Sequence, residues 1–145
     1  VGIATDTLGV HDRKHITTLS AAVEASKKAY KMAGVTPKDI DIAEIHDAFS
    51  IMSALSIEDM GFAKKGEGTK MALEGQHYIG GDLPINLYGG LKARGHPVGA
   101  TGVYQIGELV CSLRGDGRVD AERGLAENIG GSGATISVSV LERGD

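Results

Sequence analysis

The 145-residue chain is poor in several features that define large classes of protein. It has no tryptophan, an aromatic content of 4%, and a single cysteine, Cys111, which rules out an internal disulfide and favours a reducing, cytoplasmic compartment. No apolar run approaches the roughly 18 residues that a membrane-spanning helix needs, and the amino terminus lacks a charged leader followed by an apolar stretch. We therefore expect no membrane as a partner.

Basic charge and metal-ligand spacing are also scarce. Fifteen lysines and arginines stand against 19 aspartates and glutamates, for a net charge of −4, so we expect no nucleic-acid partner. The histidines His11, His15 and His77 lie in polar stretches without a second ligand at metal-binding spacing. We predict no metal site.

Nucleotide-binding motifs are missing too. Gly90 and Gly95 have the spacing of a phosphate-binding loop, but His96 and Pro97 stand where that loop has a lysine and a hydroxyl side chain. No Gly-x-Gly-x-x-Gly motif follows a predicted strand. We exclude a nucleotide triphosphatase.

Glycine is plentiful, with 22 residues, and its densest cluster covers residues 89–102, here called the glycine loop. Gly90, Gly95 and Gly99 allow left-handed backbone and close approach of neighbouring groups, while Pro97 presets the backbone for a first helical residue. The apolar residues that follow have helical spacing and predict a helix over residues 98–113. The loop is therefore built to present His96 at a helix start.

The other elements follow from periodicity and turn residues. Strands are predicted over residues 1–7, 42–45, 84–87, 125–129 and 134–142, and further helices over 17–33 and 48–60. A four-residue link, residues 130–133, predicts an antiparallel hairpin, and the clean alternation of the last strand suits a position near a sheet edge. The order β-α-β-α-β-α-β-β predicts an α/β layered domain with a mixed sheet.

A second polar stretch, residues 46–49, follows a predicted strand, where ligands bind in open α/β sheets. We expect its His46, the His96 loop and the 130–133 link to form one pocket that offers a base, an oxyanion donor and backbone N–H groups, as acyl transfer requires. No nucleophile is evident. Cys111 falls within the last predicted helix, where a buried, unreactive thiol is expected.

Three signatures in order resemble the C-terminal half of the thiolases, in the archaeal and sterol-carrier-type branch. Residues 95–102 resemble the family's Gly-His-Pro signature, residues 46–49 its His-Asp-Ala-Phe signature, and residues 128–133 fall where a Cys-x-Gly segment usually lies. The resemblance covers the whole chain. It implies a thiolase-like half with a five-stranded mixed sheet flanked by helices, with residues 1–145 forming the C-terminal domain, the first strand truncated and the N-terminal half absent.

The resemblance implies acyl transfer between acyl-CoA and acetyl-CoA, with coenzyme A thioesters as substrates and no further cofactor. His96 would activate a cysteine of the N-terminal half, and His46 would stabilise the thioester oxygen of the second substrate. Oxyanion and backbone support is expected from Asp47, Asn128, Gly130 and Gly131, and loop architecture from Gly90, Gly95, Pro97 and Gly99.

Two departures from the family pattern keep an alternative open. The acylated cysteine belongs to the half that this sequence lacks, and Asn128 and Ala48 stand where relatives have an acid/base cysteine. Neither residue exchanges protons, so the proton for the condensation is expected to pass through His46, His96, a water or a residue of the absent half. The alternative is a non-catalytic thiolase-like subunit that binds acyl-CoA or a sister subunit.

Several partners are implied by the same resemblance. They are the N-terminal thiolase half, a second copy in a homo-oligomer, a hydroxymethylglutaryl-CoA synthase and a small acyl-CoA-binding bridging protein. Self-association of the isolated half is a further expectation, because the surface that meets the other half should be apolar.

Overall fold

A four-stranded mixed sheet with helices on both faces organises the computed structural model, which describes residues 1–6, 10–115 and 118–144. The strands are β1 (Gly2–Thr5), β2 (Ile42–Glu44), β3 (Arg123–Gly130) and β4 (Thr135–Glu142). The helices are α1 (Ser20–Ala33), α2 (Ser50–Asp59), α3 (Gly68–Leu73), α4 (Gly90–Arg94) and α5 (Thr101–Leu113). The spatial order is β1-β4-β3-β2, with β2 parallel to β3 and the other pairs antiparallel. Thr7, the end of the first predicted strand, lies outside the described residues.

The prediction of five strands is wrong, because residues 84–87 do not form a strand. Ile85 makes a single parallel bridge to Ala43 at the outer side of β2. Pro84 has no N–H to extend the ladder, and Asn86 has a φ of 53°, which takes the chain out of the extended conformation. The predicted fifth strand is therefore reduced to one residue beside the sheet.

The last two strands confirm the hairpin and correct its place. Gly130 pairs with Thr135 across an antiparallel link, as predicted. The alternation of β4 is also confirmed, since Ile136 and Val138 are fully buried. The edge position is wrong, because β4 lies between β1 and β3.

Helix α1 packs on β1 and β4 through a face made of alanines. A Cβ atom on Gly2 would lie 2.0 Å from the backbone oxygen of Ala25, so only glycine permits this approach. The helix begins at Ser20, later than predicted, because the N–H of Leu19 donates to the Asp59 carboxylate of α2 (2.7 Å). This contact ties α1 to α2 on one side of the sheet.

Helix α5 covers the opposite face of the sheet, on β2 and β3. Thr101, Gln105 and Leu109 are at most 1% exposed, whereas Val103 is 73% exposed. The expectation that Cys111 is buried is wrong, since it is exposed. The helical period is right, but the buried face also contains polar residues, since Thr101 and Gln105 share it with Leu109.

Candidate active site

His46 lies two residues beyond β2, at the carboxyl end of that strand, and is 5% exposed. The backbone N–H of Ile129 donates to its Nδ1 (3.3 Å), and the Asn128 side-chain nitrogen lies 3.5 Å from the same atom. Since both neighbours bring N–H groups, Nδ1 is an acceptor. The neutral ring then carries its proton on Nε2.

The electrostatic surroundings of His46 favour that neutral ring. Burial foremost, and then the proximity of His96, lower the pKa of His46 to about 4, against a smaller opposing effect of Asp47. An imidazole with this pKa is neutral at neutral pH, where it is a weak base and can donate a hydrogen bond from its remaining N–H.

Asp47 anchors the glycine loop to the end of β2. Its Oδ1 accepts the backbone N–H of Leu91 (2.6 Å), at the start of α4. Gly90 has a φ of +60°, and a Cβ atom there would lie 2.6 Å from the Asp47 carboxylate. Asp47, the residue after His46, therefore holds the loop that carries His96.

The glycine loop contains more structure than its composition predicts. Residues 90–94 form α4, which ends at Gly95 with a φ of +98°. A Cβ atom on Gly99 would meet no other atom within 4 Å, so nothing in the described residues requires glycine there. The backbone oxygen of Pro97 accepts hydrogen bonds from the N–H groups of Ala100 and Thr101, and α5 begins at this turn.

An ion pair joins the glycine loop to α5. Arg94 Nε lies 2.6 Å from the Glu108 carboxylate of α5, and both side chains are about 12% exposed or less. Burial, and then the nearby Glu108, raise the pKa of Glu44 to about 8. The residue directly before Gly95 and His96 is thus held in a buried charged cluster.

His96 is exposed and makes one side-chain hydrogen bond, between Nδ1 and Thr101 Oγ1 (2.6 Å). Thr101 Oγ1 donates its only proton to the backbone oxygen of Pro97 (3.2 Å). With the hydroxyl proton on that oxygen, Thr101 Oγ1 accepts from His96 Nδ1–H, and the Nε2 lone pair of His96 is free. This tautomer is suited to a base.

The two imidazoles meet at one cavity. Their ring centroids are 4.9 Å apart and the rings are nearly perpendicular, at 87°. The cavity has a volume of about 470 Å³, and its lining includes His46, His96, Asn128, Gly130 and Gly131. Phe49 is 69% exposed and also lines this cavity.

Two buried polar residues of the site are not predicted from the sequence. Gln105 and Thr101 of α5 are fully buried, and both touch side chains that reach the cavity. They lie four residues apart, so they share a helix face. A polar pair at this spacing beside the glycine loop is the only signal in the sequence that points to them.

Over residues 1–6, 10–115 and 118–144, no three His, Cys, Asp or Glu side chains are grouped to hold a metal ion. None of the helices in those ranges combines the length and apolar character needed to cross a bilayer.

Residues 2–143 match the family described as thiolase C-terminal domain-like. The chain belongs to this family. It is 49% identical to an acetyl-CoA acetyltransferase of Methanothermobacter thermautotrophicus over 144 residues, which cover 97% of this chain and 38% of that protein. It is 40% identical to human sterol carrier protein 2 over 117 residues, which cover 78% of this chain and 21% of that protein.

A solved structure shares the thiolase-like fold of this domain. The structure, titled Ltp2-ChsH2(DUF35) aldolase, aligns with a TM-score of 0.80 and 25% identity, and the alignment covers 98% of this chain and 38% of that one. The thiolase domain described here thus spans 38% of the length of the acetyl-CoA acetyltransferase and of the aldolase chain.

Proposed function

We propose that this domain supplies the histidine-bearing side of a thiolase active site that transfers an acyl group between acyl-CoA and acetyl-CoA. The observation that carries the proposal is the pair of perpendicular imidazoles, 4.9 Å apart, at one cavity. One ring has a free lone pair on Nε2 and the other has a proton on Nε2. A base and an oxyanion donor are the two groups that acyl transfer asks of such a site.

The first half-reaction uses the base. His96 Nε2 accepts the proton of a cysteine on the N-terminal half, and the thiolate attacks the carbonyl carbon of acyl-CoA. The bond between that carbon and the CoA sulfur breaks, and the departing thiolate recovers the proton from His96. We assign the negative oxygen of the tetrahedral intermediate to the backbone N–H groups at Gly130 and Gly131.

The second half-reaction uses the donor. The methyl group of acetyl-CoA loses a proton, and the resulting enolate carbon attacks the thioester carbon, which releases the cysteine thiolate. The enolate oxygen accepts a hydrogen bond from His46 Nε2–H. Because His46 Nδ1 already accepts from Ile129, His46 does not take the methyl proton, which we assign to His96. His96 then passes this proton to the released cysteine thiolate, which restores the thiol. The reverse sequence is thiolytic cleavage.

The other half of the enzyme is part of the proposal. Two apolar side chains that line the cavity are largely exposed, namely Phe49 (69%) and Val98 (82%). The relatives are much longer than this chain, and exposed apolar groups around a site mark a surface that another unit covers. We propose that this unit is a thiolase N-terminal half.

Further assembly is proposed on the resemblance alone. It comprises a homo-oligomer in the cytoplasm, with hydroxymethylglutaryl-CoA synthase and a small acyl-CoA-binding bridging protein as additional partners.

The test combines this chain with a cognate N-terminal half and measures CoA-dependent cleavage of acetoacetyl-CoA. We expect His96→Ala to lower kcat/KM by about 10²- to 10⁴-fold, the range of general acid–base catalysis. The matched control is His15→Ala, because His15 is exposed and lies outside the cavity lining. Equal activity of His96→Ala and the wild type would overturn the assignment.

A second candidate is a thiolase-like subunit that binds acyl-CoA without turning it over. The observation in its favour is that Asn128 and Ala48 line the cavity at positions where relatives are expected to have an acid/base cysteine. Incubation of the complex with labelled acetyl-CoA separates the two candidates. Binding of CoA without a covalently labelled protein would support the second.

A further inference from the structure

The side chain of Gln105 sits where the parallel ladder between β2 and β3 ends. The last pair in that ladder is Glu44 with Ala126. Gln105 Nε2 donates to the backbone oxygen of Glu44 (3.3 Å) and to that of Glu127 (2.7 Å). Carbonyl oxygens only accept, so both N–H groups of the amide are used and the orientation of the amide is fixed.

This orientation decides that of the next amide. With its nitrogen on the two carbonyls, Gln105 presents Oε1 to Asn128, and Asn128 Nδ2 donates to it (3.2 Å). A rotation of the Asn128 amide by 180° would bring two acceptor oxygens together in a site where Gln105 is fully buried. Asn128 is therefore held with its nitrogen inward.

The inward nitrogen of Asn128 reaches His46. Its second N–H faces His46 Nδ1 at 3.5 Å, beside the N–H of Ile129 at 3.3 Å. With Asn128 reversed, an oxygen would face the same ring atom and would favour a proton there. The state of Nδ1 thus depends on two N–H groups, that of the Ile129 backbone and that of the amide that Gln105 holds.

We propose that Gln105 is a positioning residue that keeps His46 in the Nε2–H tautomer, acting through the Asn128 amide. Gln105 is fully buried and absent from the cavity lining, so it does not touch substrate. The catalytic consequence of this arrangement rests on the proposed function. The tautomer itself does not, and it is measured separately.

The tautomer is read from the ring-nitrogen resonances of the full chain labelled with ¹⁵N-histidine, with His46 assigned from its absence in His46→Gln. In the wild type, we expect an unprotonated Nδ1 and a protonated Nε2. Gln105→Met keeps the size of the side chain and removes its amide, and the population of the Nδ1–H form should rise. Asn128→Asp places carboxylate oxygens at both Gln105 Oε1 and His46 Nδ1, and should also raise the population of the Nδ1–H form.

Leu109→Ala is the matched control. Leu109 is 1% exposed, lies one turn further along α5 and packs in an apolar cluster away from His46. This variant should lower the melting temperature and leave the His46 resonances unchanged. A wild-type His46 with a protonated Nδ1, or a Gln105→Met variant with the wild-type tautomer, would overturn the proposal.

The activity measurement uses the chain assembled with its N-terminal half. Gln105→Met should lower kcat about tenfold to a hundredfold with KM within about threefold, because a catalytic donor is misplaced and ground-state binding is kept. Leu109→Ala should keep its kcat. Absence of acetoacetyl-CoA cleavage by the wild type would defeat the proposed function and leave the resonance measurement to decide the role of Gln105.

Discussion

His46 and His96 come within 4.9 Å of each other, yet the fold holds them in opposite ways. His46 follows a sheet strand, is 5% exposed and has N–H groups of β3 on its Nδ1. His96 lies on the exposed glycine loop, and the hydroxyl of Thr101 is its hydrogen-bond partner.

The surroundings of the two rings explain how one residue type can act as a hydrogen-bond donor in one place and as a base in another. An imidazole that faces N–H groups through Nδ1 keeps its proton on Nε2, whereas one that faces an acceptor hydroxyl keeps it on Nδ1. The first ring then offers a proton to the cavity and the second offers a lone pair. The backbone and side chains behind each ring therefore decide its chemistry.

The largest effect on activity is expected when the donor His46 is replaced and the base His96 is kept. His46→Phe should lower kcat by about 10²- to 10³-fold in the assembled enzyme, the usual effect of losing one oxyanion donor. His46→Asn keeps an N–H group and an acceptor for Ile129, so it should retain most of that activity. Steady-state cleavage of acetoacetyl-CoA measures both, and equal losses in the two variants would contradict the donor role.

A pH measurement tests the core behind His46. Glu127 is fully buried beside the His46 backbone and accepts a hydrogen bond from Ser56 (2.9 Å). Burial raises the pKa of Glu127 from 4.5 to about 7 in spite of the hydrogen bonds from Ser56 and the His46 backbone. The folded chain then binds more protons than the unfolded chain between these two values, so the free energy of unfolding should fall as the pH rises through this range.

Glu127→Gln should remove that part of the pH dependence. A pKa difference of this size corresponds to about 3 kcal/mol, and Glu44, with its pKa also raised, contributes with the same sign in both proteins. Urea unfolding at pH 5 and pH 8 should therefore show a smaller loss for Glu127→Gln than for the wild type. Glu24→Gln, at an exposed position, is the control and should behave like the wild type. Parallel pH profiles for wild type and Glu127→Gln would contradict the buried-carboxyl argument.

The smallest expected effect concerns the partner of the second histidine. Thr101→Val keeps the side-chain shape and removes the acceptor of His96 Nδ1–H, so kcat/KM should fall about tenfold, within the 1–3 kcal/mol typical of a lost buried hydrogen bond. Thr101→Ser keeps the hydroxyl and should stay close to the wild type. The comparison of kcat/KM for these two variants tests whether one hydroxyl is enough to set the His96 tautomer.

Local patterns predicted the elements that depend on neighbouring residues. The helices over most of residues 20–33, 50–59 and 101–113, the hairpin and the alternation of β4 follow from periodicity and turn residues, and the structure has them. The wrong predictions about the sheet concern which strands pair with each other. Residues 84–87 meet β2 at one residue, and β4 is central, because pairing depends on elements distant in sequence.

The residue pattern was enough to show that two histidines follow or lie within loops near helix starts, and the motifs indicated the thiolase family. Which helix and strand faces are buried, and which atom of each imidazole carries the proton, depends on tertiary contacts. Gln105 and Thr101 are polar by sequence, yet both are fully buried in α5. Carbonyl oxygens at the end of the β2–β3 ladder and the Nδ1 atom of His96 give their polar groups partners, and a periodicity of apolar residues contains no information about such partners.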